Sequence, residues 1–98
     1  HPSLAYALDQ LGELERGLGN LDAAMERFAE AGELRDATLG ANHPETVTTL
    51  LGIGRVLLAK GERERARGAF SAALKIVDTH GQDPARRHEL EAQLELAR

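Results

Sequence analysis

A chain of 98 residues is one domain or a piece of one, long enough for a small hydrophobic core but not for a catalytic domain with a deep cleft. Its 12 Lys and Arg against 16 Asp and Glu give a net charge of −4, which argues against general attraction to nucleic acid phosphates. The absence of Cys excludes disulfides, thiolate metal sites and a Cys nucleophile.

The composition predicts an all-α fold. Ala, Leu, Glu and Arg are frequent and are strong helix formers, whereas aromatic residues make up only 3%. No apolar run approaches the roughly 20 residues that span a bilayer, and the first residues carry no signal peptide pattern. We therefore expect a cytoplasmic protein without membrane contact. The chain starts on His-Pro and stops within a helical pattern, which indicates a piece of a longer protein.

The first two predicted helices span residues 3–18 and 21–38. Pro2 suits the first helical turn, where a missing N–H costs nothing, and Gly19 suits the left-handed residue that ends a helix. Asn20 is a good cap for the second helix, and Gly40 follows its end. The apolar residues of the second helix form one stripe at spacings of three and four, which is typical of a core-facing helix; they are Ala24, Phe28, Ala31 and Leu34.

The same pattern returns 42 residues later. Nine identical pairs link residues 1–36 to the residues 42 positions further on: His1/His43, Pro2/Pro44, Leu8/Leu50, Gly12/Gly54, Gly19/Gly61, Ala24/Ala66, Phe28/Phe70, Ala31/Ala73 and Asp36/Asp78. The third and fourth helices are therefore predicted at residues 45–60 and 63–79. Pro44 is expected in the first turn of the third helix. Glu62 is a poorer cap for the fourth helix than Asn20 is for the second, and Gly81 follows the end of the fourth. A fixed period in this range marks a stacked repeat protein.

A fifth helix is predicted to begin at Asp83-Pro84, with Asp83 as its cap and with Leu90, Leu94 and Ala97 at helical spacing. The chain then divides into a first unit at residues 1–42, a second at 43–83, and the first helix of a third unit, or a capping helix, at 84–98.

Small residues recur with the two Phe residues. Gly12 and Gly54 lie in the middle of helices, where Gly costs about 1 kcal/mol relative to Ala. Because each recurs with an Ala and a Phe at the same offsets, we expect close helix approach, with Phe28 and Phe70 filling the space beside the glycines.

Together these residues resemble the tetratricopeptide repeat. The motif reads Leu8, Leu11, Gly12, Gly19, Ala24, Phe28 and Ala31 in the first copy, and Leu50, Ile53, Gly54, Gly61, Ala66, Phe70 and Ala73 in the second. The 42-residue period and the connector LGANHP are similar to the repeats of kinesin light chains and to arrays in bacterial multidomain proteins. The resemblance implies a right-handed α-solenoid of five helices that binds protein and needs no cofactor.

Arg63 and Arg67 depart from the pattern, since they replace apolar residues at packing positions. Such long side chains can lie flat with their charged heads in water.

In arrays of this kind the first helices of successive units line a concave groove that holds a peptide or a helix. Helical spacing predicts eleven groove-facing residues: Tyr6, Asp9, Glu13 and Arg16 on the first helix, Thr48, Leu51, Arg55 and Leu58 on the third, and His88, Glu91 and Glu95 on the last. Leu51 and Leu58 suit an apolar anchor or a partner helix. The alternative is a regulatory segment of a larger signalling protein or enzyme that packs on its own parent chain or forms a homo-oligomer.

Enzymatic and metal-binding interpretations have little support in the sequence. His43, His80 and His88 are not paired at the spacing of four that places two ligands on one helix face. His43 is better explained as a loop residue beside Pro44 with a capping role. The Gly-rich stretch around Gly52 lies inside a predicted helix with no strand before it, so it is not a phosphate-binding loop. We expect no catalytic residues, metal or cofactor, and no nucleic acid partner.

Overall fold

The structure is a computed structural model that describes residues 2–40, 42–81 and 83–98. Within these ranges the chain forms five helices and no strand: α1 Pro2–Gly17, α2 Leu21–Leu39, α3 Thr46–Ala59, α4 Arg63–His80 and α5 Pro84–Leu96. The prediction of an all-α repeat fold is confirmed. His1, half of the first His-Pro pair, lies outside the described residues.

Most of the predicted helix ends are confirmed. Gly19 and Gly61 both have φ of 83°, the left-handed conformation that only Gly adopts without strain. Asp83 caps α5, because its carboxylate accepts a hydrogen bond from the backbone N–H of Arg86 at 2.9 Å. The prediction for Asn20 is wrong: it precedes α2, but its side-chain amide donates to Glu15 Oε1 at 3.1 Å instead of capping the helix.

The position of Pro44 also differs from the prediction, since Pro44 lies before α3 and not in the first turn of that helix. A turn precedes the helix, in which the N–H of Thr46 donates to His43 O at 2.9 Å and that of Val47 to Pro44 O at 3.1 Å. His43 Nδ1 accepts from the N–H of Glu45 at 3.2 Å, so this loop histidine stabilises the turn before α3; its capping role stays a prediction.

The helices pack in sequential pairs. α1 packs along α2, and α3 packs along α4; α2 then packs on α3, α4 packs on α5, and α1 makes a smaller contact with α3. α1 and α3 therefore lie beside one another, and together with α5 they carry the predicted site residues.

Two phenylalanine rings pack against glycines in the core. A Cβ on Gly12 would lie 2.8 Å from Phe28 Cζ, and one on Gly54 would lie 2.3 Å from Phe70 Cε1, so both glycines are needed for these contacts. Both rings are fully buried, which confirms the predicted close packing. Gly52 was missed: its Cβ would lie 2.4 Å from the Phe28 ring, so Phe28 packs between its own helix pair and the next.

The largest core cluster joins α3, α4 and α5. Its fully buried members include Phe70 and Leu90, and Val47 and Leu51 of α3 pack in the same cluster. Arg67, which replaces an apolar residue of the first copy, extends from α4 so that its Nη1 donates to Ala97 O at 2.9 Å, at the end of α5. The charged head thus satisfies a helix-terminal carbonyl group.

Candidate functional site

The candidate site lies on the side of the molecule that α1, α3 and α5 form. Side chains of α5 connect it to α3: Glu89 Oε2 accepts from Arg55 Nη2 at 2.9 Å, and Arg86 Nη2 donates to Thr48 Oγ1 at 3.1 Å. Arg86 Nη1 also donates to Glu89 Oε1 at 3.0 Å, so the four side chains form one continuous polar ladder. These bonds hold the long side chains in place on a partly exposed surface.

Nine of the eleven predicted residues have accessible side chains. The exposed ones are Tyr6, His88, Glu91 and Glu95, and the half-buried ones are Glu13, Arg16, Thr48, Arg55 and Leu58. Glu13 and Arg16 pair with each other, with 2.8 Å between Oε2 and Nη2.

Asp9 requires a correction, because it is only 1% exposed and does not face a groove. Arg35 Nη1 donates to Asp9 Oδ2 and, at 2.7 Å, to Thr49 Oγ1; Thr49 Oγ1 in turn donates to Asp9 Oδ1 at 2.9 Å. A buried carboxylate needs a compensating charge and hydrogen bonds, and this triad supplies both. Asp9 therefore connects α1 to α2 and α3 and has no free surface for a partner.

Leu51 also requires a correction. It is 3% exposed and packs in the core cluster that residues of α3, α4 and α5 share. Leu58 is partly buried and packs against the same cluster. The apolar strip expected from these two leucines is therefore part of the core and not an open anchor for a partner.

A cavity that the sequence did not predict lies at one end of this face. It has a volume of about 470 Å³ and lies between the starts of α3 and α5 and the end of α4. Its lining combines apolar side chains with charged groups of both signs and comprises Pro44, Glu45, Val47, Thr48, Ile76, Val77, His80, Asp83 and Arg86. Of these, only Thr48 was predicted as a site residue. The sequence predicted the other lining residues, where it predicted any role for them, as cap or core residues. It did not predict the cavity, because three helix ends that are distant in sequence form it.

Glu45 lies between this cavity and the buried triad. Arg35 Nε is buried without a hydrogen-bond partner, and Glu45 Oε1 lies 4.0 Å from it, so the carboxylate faces the guanidinium without a direct bond. Half of the Glu45 side chain is exposed. The cavity thus has an acidic residue at its edge that is held near a buried positive charge.

Away from this face, Lys60 and Asp22 form an ion pair that shifts the pKa of both groups. Lys60 Nζ donates to Asp22 Oδ1 at 2.8 Å, linking the end of α3 to the start of α2. That hydrogen bond, with the attraction between the charges, lowers the pKa of Asp22 below its usual 3.8 and raises the pKa of Lys60 above its usual 10.5. The pair stabilises the fold between these values; its contribution is lost as the pH falls through the lowered pKa of Asp22 or rises through the raised pKa of Lys60. Because both groups are exposed, the effect is small.

Among the described residues, no group of three or more His, Cys, Asp and Glu side chains could hold a metal ion. No helix in this part of the chain has the length and apolar character needed to cross a membrane.

Comparison with known proteins identifies one family. A family model described as "Tetratricopeptide repeat" matches residues 1–79. The comparison with curated proteins gave no match. Repeats of this family generally mediate protein–protein interaction and are typically non-enzymatic scaffolds.

Proposed function

Because the chain belongs to the tetratricopeptide repeat family, we propose that it is a scaffold segment that holds a peptide or helix on the face formed by α1, α3 and α5 and performs no chemistry of its own. The observation that carries this proposal is the cavity between α3, α4 and α5. Its apolar lining consists of Pro44, which is exposed, and of Val47, Ile76 and Val77, which belong to the core cluster. Its charged lining residues are Glu45, Asp83 and Arg86.

The composition of the cavity favours a particular kind of partner. An apolar side chain would bury its surface against the exposed Pro44 and against the small accessible parts of the core residues beneath it, since burying apolar surface is the main source of affinity in such pockets. Arg86 and the acidic residues Glu45 and Asp83 would bind polar groups on either side of that anchor. The partner is therefore a protein segment with one apolar anchor between polar or charged residues of both signs.

The proposed binding face extends from the cavity along the polar ladder of Thr48, Arg55, Arg86 and Glu89. The accessible residues Tyr6, Glu13, Arg16, His88, Glu91 and Glu95 lie on the same three helices and are proposed as its outer contacts. The 42-residue period supports a kinesin-light-chain-like variant of the family. The bacterial origin and cytoplasmic location expected from the sequence stay predictions.

Peptide selection tests this function. A library of random 12-residue peptides is selected on the immobilised protein, and selected peptides are measured by fluorescence anisotropy. Thr48→Arg places a long charged side chain at the edge of the cavity and should weaken binding about tenfold or more, because it blocks the anchor. Ser71→Arg, on the exposed surface of α4, is the matched control and should leave binding unchanged. Failure to select any peptide, or equal binding by both variants, would contradict the proposal; circular dichroism verifies that both are folded.

A further inference from the structure

The cavity between α3, α4 and α5 offers two carboxylates to a partner. Half of the Glu45 side chain is exposed, and no described residue donates a hydrogen bond to its carboxylate. Asp83 is exposed, and its Oδ1 accepts from the backbone N–H of Arg86, while its Oδ2 accepts from none of the described residues. Both side chains line the cavity and can therefore accept hydrogen bonds from a bound group.

The basic groups that line the cavity have partners within the chain. The Arg86 guanidinium donates from Nη1 to Glu89 Oε1 at 3.0 Å and from Nη2 to Thr48 Oγ1 at 3.1 Å. His80 Nε2 lies 3.3 Å from Asn42 O, and a ring nitrogen can bond to a carbonyl oxygen only as a donor. Two carboxylates and one guanidinium line the cavity, so its net charge is negative when His80 is neutral, and a cation is the complementary group.

The internal repeat gives a second observation, which points to a guanidinium. A shift of 42 residues places Arg35 of α2 on Val77 of α4, and Val77 lines the cavity. Between α1, α2 and α3 this position holds a guanidinium of the chain itself, which donates to Asp9 and Thr49. Between α3, α4 and α5 the same position holds the shorter Val77, and the cavity lies beside it. The cavity thus corresponds to a place that an arginine occupies in the other half of the repeat.

Glu45 connects the two places. Its Oε1 lies 4.0 Å from Arg35 Nε, and the same side chain lines the cavity. The charge of Arg35 is already compensated by Asp9, to which its Nη1 donates directly. Because a carboxylate accepts from several donors, Glu45 can face Arg35 on one side and bind a second guanidinium on the other.

We propose that the cavity takes the side chain of an arginine next to the apolar anchor of the partner, with its guanidinium bound by Glu45 and Asp83. This inference rests on the proposed function and deepens it, because it names the group by which the partner is selected. The methylene stem of the arginine packs on the exposed Pro44, while its planar head presents a fork of N–H donors to the carboxylate oxygens. Charge-assisted hydrogen bonds are stronger than neutral ones, so Glu45 determines specificity.

A titration with amino acid derivatives tests this preference without a peptide. N-acetyl-arginine amide is added to the isotope-labelled whole chain, and the backbone amide shifts are followed by NMR. We expect saturable shifts at residues that line the cavity, with a Kd on the order of 10 mM, because a single side chain buries little surface. N-acetyl-citrulline amide has nearly the same shape but no charge and should bind about fivefold more weakly. Absence of shifts at the cavity, equal binding of the two compounds, or tighter binding of N-acetyl-glutamate amide would overturn the proposal.

A matched pair of variants tests the role of Glu45. Glu45→Gln keeps the size of the side chain and removes its charge, so it should weaken binding of N-acetyl-arginine amide about fivefold and reduce the advantage over the citrulline compound. Glu64→Gln removes an exposed carboxylate in the first turn of α4, outside the cavity, and should leave binding unchanged. An equal effect of the two changes would show that the cavity does not select the charge.

Selected peptides distinguish this inference from the proposed function. The peptide library should be enriched in sequences with an arginine beside an apolar residue, and citrulline in place of that arginine should weaken binding about tenfold. Peptides that bind the face without a basic residue would support the proposed function and overturn this inference. A saturable response to N-acetyl-arginine amide without any selected peptide would support the preference of the cavity and contradict the proposed function.

Discussion

At the scale of single residues, the absence of a side chain at three glycines determines how closely the helices approach. Gly12 of α1 and Gly52 of α3 both contact the Phe28 ring, and Gly54 contacts the Phe70 ring. Each glycine lies within a helix, where it is unfavourable relative to Ala. Burial of a whole aromatic ring offsets this local cost, because an aromatic side chain removes a large apolar surface from water.

Gly54→Leu should abolish the cooperative melting of the α3–α4 pair. Its Cβ alone would lie 2.3 Å from Phe70 Cε1, and the ring is enclosed and has no free space to enter. Overpacking of this kind costs about 1–3 kcal/mol or more, a large part of the stability of so small a domain. The measurement is thermal denaturation followed by circular dichroism.

The matched control is Gly68→Ala, in the interior of α4. A Cβ on Gly68 meets no atom within 4 Å, so this change should raise the free energy of unfolding by up to about 1 kcal/mol through helix propensity. If Gly54→Leu melted at the wild-type temperature, the assigned contact between α3 and α4 would be wrong.

At the scale of elements, one buried triad joins three helices. Asp9 of α1, Arg35 of α2 and Thr49 of α3 are each less than a tenth exposed and hydrogen-bond to one another. Such a group is costly to desolvate, and its bonds form fully only when the three helices have the correct register. The triad therefore specifies how the first helix pair meets the second.

Single changes in the triad should destabilise more than a double change. Asp9→Leu leaves the buried Arg35 guanidinium with only Thr49 and the half-exposed Glu45 beside it, and Arg35→Met leaves the Asp9 carboxylate buried without a positive charge, so each should cost about 3–5 kcal/mol. Asp9→Leu/Arg35→Met removes both charges and should recover much of that loss. Urea unfolding of all four proteins, treated as a double-mutant cycle, gives the coupling free energy. Additive and small effects would show that the charges are not coupled in the folded protein.

At the scale of the whole molecule, α5 completes both the core and the proposed site. Leu90 is fully buried in the cluster that includes Leu51, and the cavity takes part of its lining from the start of α5. We therefore expect stability and the proposed binding to depend on the same helix. The division into units at residues 1–42, 43–83 and 84–98 stays a prediction.

Leu90→Ala should reduce both stability and peptide binding. Truncation of a fully buried leucine costs about 2–5 kcal/mol, and loosening of α5 would open the cavity that it helps to enclose. Leu96→Ala, on the same helix but 67% exposed, should change the free energy of unfolding by less than about 0.5 kcal/mol and leave binding unchanged. Urea unfolding and anisotropy with selected peptides measure the two effects. Equal stability of the two variants would mean that α5 does not pack as described.

The sequence by itself determined the five helices, the left-handed glycines that end α1 and α3, and the recurrence of Gly with Phe. These features depend on interactions within a few residues or on a repeated spacing, so they can be predicted from a single sequence. Only the tertiary structure decided which faces are covered. Asp9 and Leu51 have the spacing of groove residues, but Asp9 is buried against Arg35 and Leu51 is buried in the core cluster. The cavity forms from three helix ends that are distant in sequence. Exposure depends on which other helix packs against a face, and helical periodicity within one segment does not contain that information.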